Sequence, residues 1–287
     1  MRGSGGATML ADEYERARQY LPKTRSHRKP PYEAAGFRFD PRHSGTSTEY
    51  FPAYHRAMPV IALDLRSVSV RYPASLHRAA SAVLALDGVT LAVGAGDSVG
   101  VVGEPGSGKS TLLLAAAGLL TLAGGELRGN RVAFVSARGV THSYLGVQAS
   151  LEIAARTLDP DRVGGLPSVR DVLSRAGLTH RARARVRELN AGTHARLAVA
   201  HALLERPRVL CLDDAFDALD QTQGRMLGAL LSDLRAEGMA LLLSARHPAQ
   251  LAGVATRLVA LRRGRIAGEA SSRPVALLPR GRVAERS

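Results

Sequence analysis

The chain has 287 residues, 45% of them hydrophobic, enough to bury a core in one large or two modest domains. With 39 Lys and Arg against 25 Asp and Glu the formal charge is +14, which admits a nucleic acid, an anionic membrane surface or an acidic partner, but reads first as arginine spread over solvated faces. The single cysteine, Cys211, excludes an internal disulfide, and no apolar run of about 18 residues offers a bilayer span or a signal-peptide core.

Residues 1–58 hold eight of the twelve Phe and Tyr residues and no sustained apolar period. They predict a largely irregular N-terminal extension, with the basic, proline-flanked stretch 22–31 as an extended linker. Conventional domain sequence begins near Met58. The alternating pattern of 61–72 (IALDLRSVSVRY) is repeated in 85–93 around a turn at Asp87-Gly88, which predicts antiparallel strands. The apolar run 98–102 reads as a buried strand and 111–117 as a helix.

Between them lies GEPGSGKST, residues 103–111, which satisfies G-x-x-x-x-G-K-[ST]. Gly103, Gly106 and Gly108 let the backbone turn tightly and bring bare N–H groups to a polyphosphate. Lys109 supplies a charge to the β- and γ-phosphates, and the Ser110 hydroxyl can ligate Mg²⁺. The helix that follows points the positive end of its dipole at the same place, and Ser107 and Thr111 complete the cradle. This is a nucleotide site.

Gly124-Gly125-Glu126 ends the helical element, and 131–135 is a strand. Helices are expected at 145–158 and 168–178, with Pro160 and Pro167 in loops, then a basic lead-in at 181–187. A helix over 193–204 stops before Pro207. A strand at 209–212 follows, in which Cys211 reads as a buried structural thiol. Then come a helix (221–237), a strand (240–244), a helix (248–254), a strand (258–261) and a basic tail over 273–287. Strands and helices alternating about a phosphate loop predict an α/β fold with a mostly parallel, doubly wound sheet.

Residues 189–220, LNAGTHARLAVAHALLERPRVLCLDDAFDALD, resemble the signature-to-D-loop block of ATP-binding cassette (ABC) proteins. Its usual form is LSGGQ, a helix, a hydrophobic strand ending in Asp-Glu, then SALD, and the spacing is kept without a gap. The Asp-Gly pair before the phosphate loop, LEIAAR at 151–156 and RRGRI at 262–266 also look like this family. The resemblance covers about residues 60–270. It implies a cassette over 59–272: a P-loop core with a mostly parallel sheet, a small antiparallel β subdomain, and a helical insert at about 138–190. In the family two cassettes sandwich two ATP molecules head to tail.

Carried over residue by residue, Tyr72 matches the aromatic that stacks on adenine, and Asp213 the Mg²⁺-associated aspartate. Asp214 stands where the family's catalytic glutamate polarises water, one methylene short. Ala137 replaces the Q-loop glutamine, and Gln148 lies too far along to substitute. The signature reads Leu189-Asn190-Ala191-Gly192-Thr193: Asn190 and Gly192 remain for a phosphate, and Ala191 replaces a glycine. Arg246 aligns with the switch histidine, with His247 one place late; an arginine neutralises charge but exchanges no proton near pH 7.

The resemblance therefore implies ATP and Mg²⁺ as cofactors, firm ATP binding and slow or partner-dependent hydrolysis. The chain is expected to serve as the ATP-binding subunit of a transporter, closest in its loop to peptide/nickel importers. Its expected partners are membrane permease subunits, a second cassette in a favoured heterodimer, and a substrate-binding protein; nucleic acid is not expected. It is expected in the cytoplasm, peripheral at the inner face of the cell membrane. The competing reading is a soluble regulatory or assembly ABC ATPase acting on a protein or nucleic acid.

Overall fold

The computed structural model describes residues 60–73, 82–129, 131–136, 144–159 and 165–271. The expectations for 1–58, Ala137 and 273–287 lie outside the described residues.

Two long strands, β1 (Ile61–Tyr72) and β2 (Val83–Gly94), pair antiparallel. β1 buries Leu63 and Leu65, then Val68 and Val70. The alternation slips by one residue at Ser67, whose φ is 49°, so a bulge keeps both apolar pairs on the core side. β2 answers with its own extra residue: Val70 faces Leu86 but Val68 faces Val89. Asp87-Gly88 is thus a bulge inside one continuous strand, not a turn. Gly88 supplies the positive φ of 63°, and its N–H bonds to Ser69 Oγ at 3.0 Å. The third strand of this sheet, β4 (Gly124–Gly129), was expected only as the end of a helix. Its sequence GGELRG has no strand signature, and pairing with β1, Leu65 opposite Leu127, makes it one.

The second sheet has six strands in the order β5-β6-β7-β3-β8-β9. These are β3 (Ser98–Val102), β5 (Val132–Ser136), β6 (Val209–Asp213), β7 (Ala240–Ala245), β8 (Arg257–Arg262) and β9 (Arg265–Ser271). All pair in parallel except β9, which returns antiparallel to β8 in a tight hairpin. Side chains alternate across the sheet and fill two cores. Leu210, Leu212, Leu241 and Leu243 face a helical layer built from α2 (Val147–Thr157), α3 (Val169–Arg175), α4 (Ala191–Leu203) and α5 (Gln221–Ala236). Val209, Cys211 and Leu242 face α1 (Lys109–Ala116) and the three-stranded sheet, packing with Leu63, Val89, Leu112 and Leu113. α2, α3 and two short 3₁₀ turns (Thr179–Arg181 and Val186–Glu188) form the helical insert between β5 and β6. The expected helix at 248–254 is only a 3₁₀ turn, Pro248–Leu251.

Cys211 is wholly buried, and burial, aided by the Asp213 charge, pushes its thiol up to about 12. The folded chain is therefore expected to resist thiol reagents at pH 8 and to react fully in denaturant. Because the folded value is the higher one, this group's contribution to stability is lost as pH rises from the ordinary thiol value toward about 12.

Candidate nucleotide site

Parallel pairing sets the C-terminal ends of β3, β6 and β7 side by side, and the site is built there. The phosphate loop runs from β3 into α1, whose first residue is Lys109. Two of the loop glycines are tight, while Gly106, at φ 78°, has open space around it. A Cβ on Gly103 would lie 2.3 Å from Leu261 O, and one on Gly108, at φ 106°, would lie 2.7 Å from Ala85 O. No side chain caps α1, which leaves its first N–H groups to an anion. Lys109 Nζ donates to Gly103 O at 2.7 Å and Glu104 O at 3.1 Å, so the ammonium braces the loop from within. Ser107 Oγ is buried with no hydrogen-bond partner, an orphan hydroxyl inside the loop. The β8–β9 hairpin presses on this loop: Gly264 N–H donates to Ser107 O at 2.8 Å and Asp87 N–H to Gly264 O at 2.9 Å, with an Arg265–Asp87 ion pair alongside.

The carboxylates come from the end of β6. Asp213 Oδ1 accepts Ser110 Oγ–H at 3.1 Å and Ser244 Oγ–H at 2.7 Å. Ser110 and Asp213 thus present hard oxygen donors together, as Mg²⁺ requires. Among the described residues no group of three or more His, Cys, Asp and Glu could hold a metal ion. The tight glycines, the orphan Ser107 hydroxyl and this donor pair fit an Mg²⁺-nucleotide.

Asp214 follows at φ 49°, a left-handed conformation that aspartate tolerates better than most residues. Burial raises its carboxyl above the usual range; the Asp213 and Asp217 charges add to this, while the Ser244 hydrogen bond and Lys109 oppose it. Arg246 Nε pairs with Asp217 Oδ2 at 2.8 Å, and Gln250 Nε2 donates to Asp217 Oδ1 at 2.8 Å.

A cleft of about 400 Å³ collects Gly106, Gly108, Lys109, Ser110, Thr111, Asp214 and Arg246. Leu84, Ala85 and Arg263 also line it. Arg263, at the β8–β9 turn, was not singled out by the sequence; its signal was the arginine pair ahead of Gly264. Tyr72, a residue 39% exposed, closes β1 opposite Val83; Val83 lines the cleft and Tyr72 does not, but the Tyr72 hydroxyl is 3.4 Å from Thr111 Oγ1. His247 is exposed and does not line the cleft; its N–H bonds to Gln250 Oε1 at 2.9 Å.

The signature residues lie elsewhere. Asn190 Oδ1 accepts Thr193 N–H at 2.9 Å and caps α4. A Cβ on Gly192 would sit 2.6 Å from Gln223 Cβ, so this glycine lets α4 approach α5. Neither lines the cleft of its own chain. A larger groove of about 1150 Å³ opens at the opposite, N-terminal ends of the strands, lined by Val60, Arg208 and Met239, and is remote from these groups.

Residues 86–217 match the sequence pattern of the ABC transporter family. The chain is 32% identical over 219 residues to the methionine import ATP-binding protein MetN 2 of Rhodopseudomonas palustris, covering 69% of this chain and 58% of that one. It is 30% identical over 222 residues to the macrolide export ATP-binding/permease protein MacB of Shigella boydii, covering 71% and 34%. The chain thus spans little over half of the first relative and a third of the second. In fold it is similar to the dimeric, post-hydrolysis ATP-binding cassette MJ0796 bound to ADP and Pi, with a TM-score of 0.62, 22% identity, and 74% of this chain and 100% of that one covered. The ADP conformation of the cassette MJ1267 gives a TM-score of 0.63 at 18% identity, covering 74% and 91%. Sequence pattern, relatives and fold agree: residues 86–217 carry the sequence pattern of the ABC transporter family, on the fold of an ATP-binding cassette.

Proposed function

We propose that this chain is the ATP-binding subunit of an ABC transporter, holding ATP–Mg²⁺ firmly and hydrolysing it slowly, as one half of an unequal cassette pair. The observation that carries this reading is the asymmetry within one cleft. The holding groups are in place, Lys109 and Ser110 on the cleft and Asp213 behind them on the Ser110 hydroxyl, while the groups that would drive water at a phosphate are Asp214 and Arg246. ATP would supply the transferable phosphoryl group and Mg²⁺ the neutralisation of its charge.

Lys109 would leave the loop carbonyls for phosphate oxygens, and Ser110 and Asp213 would hold the metal. Asp214, one methylene short of the family's glutamate, would sit back from an attacking water. Arg246 would offset terminal-phosphate charge without moving a proton. Asn190 and Gly192, absent from their own cleft, would meet the nucleotide of a second cassette. A partner with a complete glutamate–histidine set would then provide the productive site. Permeases acting with it, a substrate-binding protein and a place at the inner face of the cell membrane belong to the same proposal. No helix among the described residues is long and apolar enough to cross a membrane.

The test is to tag the full chain in its native cell, solubilise the membranes gently and identify what co-purifies. Multi-span permeases with a second cassette are expected. Recovery with a cytosolic partner alone would replace this reading with a regulatory or assembly ATPase.

A further inference from the structure

β7 reads ALLLSA, six residues all buried between β6 and β3. Five are apolar, and packing accounts for them. The sixth, Ser244, is 1% exposed and sits where the strand reaches the phosphate-loop end of the sheet. A hydroxyl buried there is unfavourable unless it is hydrogen-bonded, and Ser244 is bonded on both counts. Its Oγ–H lies 2.7 Å from Asp213 Oδ1 and 3.2 Å from Asp214 Oδ1, and its oxygen accepts the Asp214 N–H at 2.8 Å. One hydroxyl has a single hydrogen, so the shorter contact takes it. Ser244 thereby joins the carboxylate that stands with Ser110 to the peptide that carries the next carboxylate. That peptide needs holding, since Asp214 is left-handed at φ 49°; the second restraint is Asp217 N–H on Asp214 O at 3.1 Å.

We propose that Ser244 is a positioning residue for phosphoryl transfer: its hydroxyl fixes the spacing of Asp213 and Asp214, so that the metal-holding carboxylate beside Ser110 and the water-directing carboxylate on the cleft serve one point. This rests on the ATP-hydrolysis reading and adds to it a residue that touches neither nucleotide nor metal. Its place is set by the register of β6 beside β7, where Leu212 faces Leu243 and the two strands end together.

The test compares the full chain with Ser244→Ala and Ser244→Thr. The amide signal and hydrogen exchange of Asp214 are read without nucleotide, Mn²⁺ affinity is read with ATP bound, and kcat and KM are read in slow turnover. Ser244→Ala is expected to shift the Asp214 amide and speed its exchange. It should weaken Mn²⁺ binding and lower kcat by about 10-fold each, with KM for ATP within about 2-fold, as for other groups that orient metal-holding residues. Ser244→Thr keeps the hydroxyl on a residue suited to strands and is expected to stay near wild type. Should Ser244→Ala reduce the yield of folded chain, Ser244→Cys keeps the volume with a weak hydrogen-bonding group and is expected to show the same losses. Unchanged Mn²⁺ affinity and kcat in these variants, or a loss in KM alone, would overturn the proposal. A wild-type chain that binds no ATP would overturn the ATP reading and this role with it, and is told apart because the amide measurement needs no nucleotide.

Discussion

Lys109→Ala is expected to abolish useful ATP binding while leaving the fold intact. The ammonium braces the loop through Gly103 O and Glu104 O, two contacts within a single loop. The structural loss is therefore small. The loss to a triphosphate is not. Removing one partner of a desolvated charge pair costs about 2–4 kcal/mol, or roughly 30- to 1000-fold in Kd. Titration with a fluorescent ATP analogue, alongside thermal unfolding, checks both halves. An affinity within a few-fold of wild type would mean that the nucleotide is not held where the loop holds it.

The second large effect is a gain. The double substitution Asp214→Glu with Arg246→His restores the longer carboxylate and a group that exchanges protons near neutral pH. A reacting group misplaced by about 1 Å costs about 100-fold, so phosphate release is expected to rise by up to about 100-fold with ATP affinity little changed. Two features work against the full gain. The left-handed backbone at Asp214 suits aspartate better than glutamate, and losing Arg246 breaks its ion pair with Asp217. A tenfold rise already supports the account. No rise would place the cause of slow turnover elsewhere, with Ala191 in the signature as the next suspect.

What the sequence disclosed and what it hid divide along a physical line. The phosphate loop was legible because its chemistry is local: glycines, lysine and serine act within nine residues on one strand–turn–helix. The ends of β6 and β7 were legible because the apolar runs give way abruptly to charge, at Asp213 and at Arg246. Asp87-Gly88 misled because the same dipeptide serves a turn or a bulge, and only the partner strand decides. Here β1 carries its own irregularity at Ser67, and the two bulges compensate. β4 was hidden because two of its six residues open the strand as glycines, and pairing alone makes it extended.

The same line runs through the site. Ser244 is 31 residues from Asp213 in sequence, and nothing local marks it as more than a small residue in an apolar run. Its role exists only once β6 and β7 lie side by side. Arg263 enters the cleft through a hairpin whose glycine touches the phosphate loop, again a meeting of distant segments. Arg246 and His247 are neighbours that spacing alone separates by one place. The end of β7 places Arg246 on the cleft and turns His247 to the cap of the following 3₁₀ turn.

The most direct test of the account is to measure, on one preparation of the full chain, equilibrium binding of ATP–Mg²⁺ and single-turnover release of phosphate. The account predicts saturable binding that Lys109→Ala removes, with phosphate appearing far more slowly than the roughly 10 s⁻¹ typical of enzymes and ATP recovered largely intact. Turnover by the isolated chain at the ordinary enzymatic rate, or no binding at all, would contradict it.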